Sequence, residues 1–248
     1  MYTRQLKRLG QGRLNLALAT NPTTCKTCGM NYYSYMEKDN SIHRKYHDTF
    51  VNGPRCDLEG NGSNNSCREF RILLGNKSME CRMYCVNKNS LRLVKRIETL
   101  LDMVNKELNA PAGSEAWKII ADDSVAGHAF VAVIEKRIVG LCVTEPIHDT
   151  AKQARWMLDR TQEVVPKQVN NRAKVGISRI WVAPKWRRHG IAQQLLGCVL
   201  TALIFAMTLQ KHDIAFSQPS FAGGKLARQF NGVKHKSGET LIPVYLEE

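Results

Sequence analysis

Four residues, Cys25, Cys28, His43 and His47, have the types and the spacing of a metal site. Two cysteines two residues apart place both sulfurs on one ion from a tight turn. Two histidines at i and i+4 share one face of a helix. Four such donors favour tetrahedral Zn2+, and closure by four protein groups points to a structural role. The 14-residue gap between Cys28 and His43 is slightly longer than the usual finger spacing. A second stretch, Gly176 to Ala192, reads as a buried strand, a short basic loop and the first turn of an apolar helix. That order presents free N–H groups and a helix N-terminus to an anion, here the pyrophosphate of a cofactor. Within it, Gly190 lets the backbone approach a ligand without a Cβ in the way.

The elements that must hold these groups follow from periodicity. Leu91 to Leu108 places Val94, Ile97, Leu101, Val104 and Leu108 on one helical face, and Asn109 and Pro111 end that helix. Met79 to Val86 is a strand. Ala129 to Ile134 and Ile138 to Thr144 read as a hairpin turned by Glu135-Lys136-Arg137. Val175 to Val182 is the next strand, and Ile191 to Leu209 a long helix with Ala192, Leu195, Leu196, Val199, Leu203 and Met207 facing inward. Ile214 to Ser217 is a strand, Gly224 to Phe230 a short helix and Leu241 to Leu246 a closing strand. Residues 1–22 read as a basic tail, 23–50 as the finger, 51–78 as a Gly/Asn/Ser-rich linker and 79–248 as one α/β domain.

The 248 residues suffice for one sizeable domain and a small accessory module. A hydrophobic share of 43% is that of a globular protein. The formal charge of +14, with a pI near 9.6, points to an acidic partner such as nucleic acid or chromatin. A basic enzyme whose charge is merely solvated is the alternative. No apolar run approaches the ~20 residues that cross a bilayer, so no membrane role is expected. Eight cysteines, two of them in a metal spacing and the rest scattered, suit a reducing compartment. Cys56, Cys67, Cys81 and Cys85 are spaced too irregularly for a second metal site.

The Arg187-x-x-Gly190-x-Ala192 spacing matches the acetyl-CoA loop of the GNAT N-acetyltransferases. The chain as a whole resembles one group within them, the Eco/ESCO sister-chromatid cohesion acetyltransferases. The likeness rests on the finger, on Val104 to Pro111 (VNKELNAP), on Gly176 to Val182 (GISRIWV), on Ala215 to Pro219 (AFSQP), on Gly223 to Ala227 (GGKLA) and on Pro243-Val244-Tyr245. It implies an α/β (α+β) GNAT acyltransferase fold with an N-terminal C2H2-type zinc finger. It also implies transfer of acetyl from acetyl-CoA to a lysine on the ATPase head of a cohesin subunit, in the nucleus. Cofactor contacts are implied at Ile180, Trp181 and Val182, at Arg188, His189, Gly190, Ile191, Ala192 and Gln193, and at Ser220, Phe221 and Ala222. Gln11 to Leu14 resembles the opening of a peptide that docks on the replication sliding clamp, although Ala17 and Leu18 stand where aromatic residues normally follow.

Chemistry adds a demand. A lysine ammonium, with a reference pKa near ~10.4, must lose a proton before it attacks a thioester. The chain departs from the family at two acids: Gly197 stands in the long helix and Gln218 after the AFS strand. Ser178 keeps the family's serine position. Glu145 is the local carboxylate available as a base, its alternative being a solvated strand-end glutamate. Lys211 and His212 read as surface residues near the substrate's approach. Two rival readings remain at this stage: a small-amine acetyltransferase, and a chromatin-binding GNAT-fold module that has lost activity.

Overall fold

A computed structural model describes residues 21–56, 66–110, 117 and 127–246. The chain divides into two compact units, Met1–Asp48 and Thr49–Glu248. The sliding-clamp-like segment and Pro111 lie outside the described residues.

In the first unit β1 (Thr23–Thr24) pairs antiparallel with β2 (Asn31–Tyr32), and α1 (Glu37–Asn52) follows. The hairpin turns at Gly29, whose φ of 70° belongs to the left-handed region that glycine enters without strain. The division between the units falls inside α1.

The second unit is built on one large sheet. Its strands are β3 (Arg68–Leu74), β4 (Lys77–Cys85), β5 (Ala129–Ile134), β6 (Arg137–Pro146), β7 (Ala154–Leu158), β8 (Val164–Val169), β9 (Val175–Val182), β10 (Ile214–Phe216), β11 (Val233–Lys234) and β12 (Thr240–Tyr245). They run in the order β3-β4-β5-β6-β9-β10-β12-β7-β8, with β11 on β12. The helices are α2 (Leu91–Leu108), α3 (Thr150–Gln153), α4 (Ile191–Ala202) and α5 (Phe221–Asn231). Every residue of β5 is buried, and α4 packs across β5 and β6. Among the described residues no helix is long and apolar enough to cross a membrane.

The expected α2 helix and the strand Val175–Val182 hold to the residue, and the expected hairpin is present with its second strand extended to Arg137–Pro146. The α2 helix spans the predicted range and ends on Asn109, which turns left-handed at φ 50° and donates its N–H to the Asn105 carbonyl. The β5–β6 turn puts both Glu135 and Lys136 at positive φ, the geometry of a tight hairpin.

Other expectations need correction. The stretch read as a linker carries β3, which pairs with β4 over seven positions. It escapes a periodicity test because it is an edge strand in which only Ile72 is buried. Upstream, the Cys56 N–H bonds the Lys136 carbonyl and the Ile138 N–H bonds the Pro54 carbonyl, so that segment is tied to the sheet. The long helix stops at Ala202 rather than Leu209, because the chain reverses through Ile204–Met207 with Ala206 at φ 59°. The β7–β8 hairpin was not foreseen. Pro166 and Lys167 blur its pattern, and three residues of β8 bulge out between its pairings to Arg155 and Trp156.

Candidate functional site

In the first unit the four predicted ligands meet. One donor atom from each of Cys25, Cys28, His43 and His47 lies within 4.8 Å of the others. A chain reversal closed by Gly29 N–H to Cys25 O, at 2.9 Å, brings the cysteines together, while one turn of α1 separates the histidines. The Cys25 sulfur lies 3.4 Å from His47 Nδ1, a separation suited to two ligands each about 2.0–2.3 Å from one zinc. His43 Nε2 is buried with no hydrogen-bond partner, a costly state that a metal bond relieves. Tyr32 stacks on the His43 ring at 3.9 Å and fixes its plane. Backbone N–H groups of Cys28 and Thr27 draw the Cys25 thiol down to about 5, so it is a thiolate ready to ligate at neutral pH, whereas burial raises that of Cys28. The residues present fit a structural Zn2+.

In the second unit β9 is the axis of the site. It pairs with β6 along its length, but the register shifts between Val143 and Thr144. Ser178 is thereby left as the extra residue of a β-bulge. On its other edge β9 pairs with β10 only at Val175, Gly176 and Ile177, and the last rung is Ser217 N–H to Ile177 O at 3.0 Å. Beyond that rung the chain leaves through Gln218-Pro219. A cleft of about 370 Å³ opens there, bordered by residues 108–110 at the end of α2, by 177–180 and by 216–220 with Gly223. The parting of parallel strands leaves the Ile180 stretch paired with β6 alone, with no strand along its β10-facing edge.

The loop beyond β9 is shaped for an anion. Arg188 at φ 68° and Gly190 at φ 79° are both left-handed, and Gly190 is the N-cap of α4. No hydrogen bond within the protein, among the described residues, engages the N–H groups of Arg188, His189 or Gly190. The first turn of α4, Ile191 to Gln193, adds N–H groups that no helix can satisfy internally. A Cβ at Gly190 would meet no protein atom within 4 Å, so the glycine serves its backbone angle and leaves the space in front open. His189 Nδ1 lies 2.8 Å from the Arg187 carbonyl, which can only accept, so that nitrogen carries the proton.

Glu107, which sequence reasoning did not single out, locks this loop to the sheet. Its carboxylate accepts from Trp181 Nε1 at 2.6 Å and pairs with the Arg187 guanidinium. Arg187 Nε in turn donates to the Val182 carbonyl at 2.9 Å. The Trp181 side chain therefore packs toward α2 and does not line the cleft, and Arg187 is a brace for the loop.

The cleft gathers Ser178, Ile180, Gln218 and Ser220. Ser178 is buried; its hydroxyl donates to the Val143 carbonyl at 3.3 Å, and its carbonyl accepts from Arg179 Nη1 and Ser217 Oγ. Ser220 caps α5 by accepting the Gly223 N–H. Phe221 and Ala222 stand on the first turn of that helix, outside the lining, with Phe221 74% exposed beneath Lys225 Nζ at 4.4 Å. Glu145 is also outside the lining. It pairs opposite Gly176, two residues and thus about 7 Å along β9 from Ser178. Gly197 faces the guanidinium of Arg68, whose Nη1 lies 2.2 Å from where a Cβ would stand.

The family model for the ESCO1/2 acetyl-transferase matches residues 171–241, and that for the zinc-finger of acetyl-transferase ESCO matches residues 11–49. The N-acetyltransferase ECO1 of Debaryomyces hansenii is 46% identical over 93% of this chain and 84% of its own length. That of Candida glabrata is 35% identical over 97% and 95%, and that of Saccharomyces cerevisiae 29% identical over 90% and 88%. Among solved structures, the xEco2 acetyltransferase domain bound to a K105-CoA conjugate aligns with a TM-score of 0.50 at 22% identity, over 67% of this chain and 92% of that one. The expected GNAT fold with an N-terminal zinc finger holds.

Proposed function

The chain belongs to the Eco1/ESCO family of N-acetyltransferases and uses acetyl-CoA, and from that premise we propose that its acceptor is a lysine side chain on the ATPase head of a cohesin subunit. The observation that carries the site assignment is the run of unengaged N–H groups at residues 188–190, which leads into α4 beside the open edge of β9. Acetyl-CoA supplies an activated acyl group. Residues 188–193 hold its diphosphate end, main-chain groups of Ile180 to Val182 align the arm, and Ser220 borders the opposite side, with Phe221 and Ala222 behind it on the first turn of α5. Ser178 and Gln218 orient the amine at the cleft. Glu145 takes the proton from the lysine ammonium. The amine nitrogen then bonds to the acyl carbon as the carbon–sulfur bond breaks, and the thiolate leaves as the thiol once protonated.

The formal charge of +14 supports an acidic partner and a nuclear, chromatin-associated location. The test is labelling of a cohesin head with radiolabelled acetyl-CoA. Wild type should label it and Gly190→Glu should not, because a carboxylate and a left-handed non-glycine residue would both oppose the diphosphate. Unchanged labelling by the variant would remove the loop as the site. No labelling of the head by wild type, with coenzyme still bound, would remove the substrate.

A further inference from the structure

Glu145 does not stand alone. Tyr245, the last residue of β12, donates its hydroxyl to Glu145 Oε2 at 3.1 Å. The phenol ring is 3% exposed and lies directly over Gly176, where a Cβ would come within 2.4 Å of Tyr245 Cε1. Gly176 is also the residue that pairs with Glu145 across β6 and β9, and with Ala215 across β9 and β10. The missing side chain at 176 therefore makes the path by which a tyrosine three strands away reaches the carboxylate.

The pleat fixes which side of the sheet this pair occupies. Val143 and Glu145 are two apart on β6 and so share a face. Val143 pairs with Arg179, whose Nε donates to Asn105 Oδ1 of α2 at 2.8 Å. Glu145 and Tyr245 thus lie on the α2 side of the sheet, the side on which residues 108–110 border the cleft.

We propose that Tyr245 is a positioning residue for the acceptor side of the reaction, holding the Glu145 carboxylate toward an incoming lysine, with Gly176 as the notch that admits its ring. This rests on the reading of Glu145 as proton acceptor. A phenol donor occupies one lone pair of Oε2 and fixes the carboxylate's rotamer, leaving its remaining lone pairs to accept from a substrate amine. Gly176, opposite Glu145, is two residues and about 7 Å along β9 from Ser178, so the proton passes from an amine at the cleft to the carboxylate through bridging water.

The test uses the full chain with acetyl-CoA and the cohesin head. Tyr245→Phe, which preserves the packed ring, should lower kcat about tenfold while leaving the KM for acetyl-CoA within twofold of wild type. Gly176→Ala, which displaces the ring without altering either polar group, should lower kcat in the same direction. Glu145→Gln should lower kcat further, and adding Tyr245→Phe to it should cost nothing more, since the phenol would have no base left to hold. A wild-type kcat for Tyr245→Phe overturns the proposal. So does a loss that adds in full to that of Glu145→Gln, which would mark the tyrosine as merely structural. A wild-type kcat for Glu145→Gln overturns instead the reading on which the proposal rests.

Discussion

Glu107 shows how much one side chain can carry without announcing itself. Its two carboxylate oxygens serve Trp181 and Arg187, 74 and 80 positions away, and through Arg187 the carbonyl of Val182. Replacing it with alanine leaves a part-buried indole N–H without its partner and frees the brace on the coenzyme loop. The expected loss is about 2 kcal/mol, most of it from the indole, because Arg187 is 45% exposed and solvent screens its share. For a unit of this size, that is a fall of about 4–8 °C in the melting temperature, read by calorimetry. A change below 1 °C would show that the clamp adds little. Glu107 lies within the Val104 to Pro111 stretch that carries the family likeness, but its role is not legible there, since the signal is a contact between distant residues. Gly190, in contrast, was legible, because its demand is local: a left-handed backbone at the start of a helix. The thiols follow local chemistry too. Cys67 is half-buried, and a hydrogen bond from Cys198 lowers its thiol, whereas burial pushes Cys81 and Cys85 up to about 12. The thiolate is the nucleophile, so among these three Cys67 should alkylate first, its rate levelling off at lower pH than that of a free thiol. Mass spectrometry after brief iodoacetamide treatment checks this order; equal labelling of Cys81 would contradict it.

Elements with a strong internal pattern were legible in full. The Leu91–Leu108 helix, the β5–β6 hairpin and the strand 175–182 each declare themselves within a short window. What escaped were edges and bulges, β3, β8 and the Ser178 irregularity, whose form depends on neighbours far along the chain. The contact of β3 with α4 is the clearest case. Arg68 reaches Gln194 Oε1 at 2.8 Å, and its guanidinium fills the space beside Gly197. A glycine inside a helix costs up to ~1 kcal/mol relative to alanine, so Gly197→Ala should stabilise α4 unless Arg68 obstructs it. The expected result is a small gain in the native background and a gain of about 0.5–1 kcal/mol when Arg68→Ala is also present. Denaturant titration of the four proteins in this cycle measures the difference. Equal gains in both backgrounds would mean that the guanidinium moves aside freely and does not brace the helix.

At the scale of the whole molecule, the division at Asp48/Thr49 separates two kinds of stability. The first unit buries little: Cys28 is its single buried apolar residue among those described, and α1 buries only Phe50, beyond the division. Too small to fold on apolar burial alone, it depends on its four-ligand metal site. The second unit has a large buried sheet and holds every residue assigned to acetyl-CoA. Stripping zinc with a chelator should therefore abolish the ordered signals of residues 23–47 while leaving coenzyme uptake by the rest intact. Calorimetric titration with coenzyme A should give affinities within twofold before and after chelation. Labelling of the cohesin head should fall if the finger recruits that partner, a loss of binding rather than of chemistry. A tenfold drop in coenzyme affinity on chelation, with the sheet still folded by circular dichroism, would instead couple the metal to the acetyl site and refute this separation of roles.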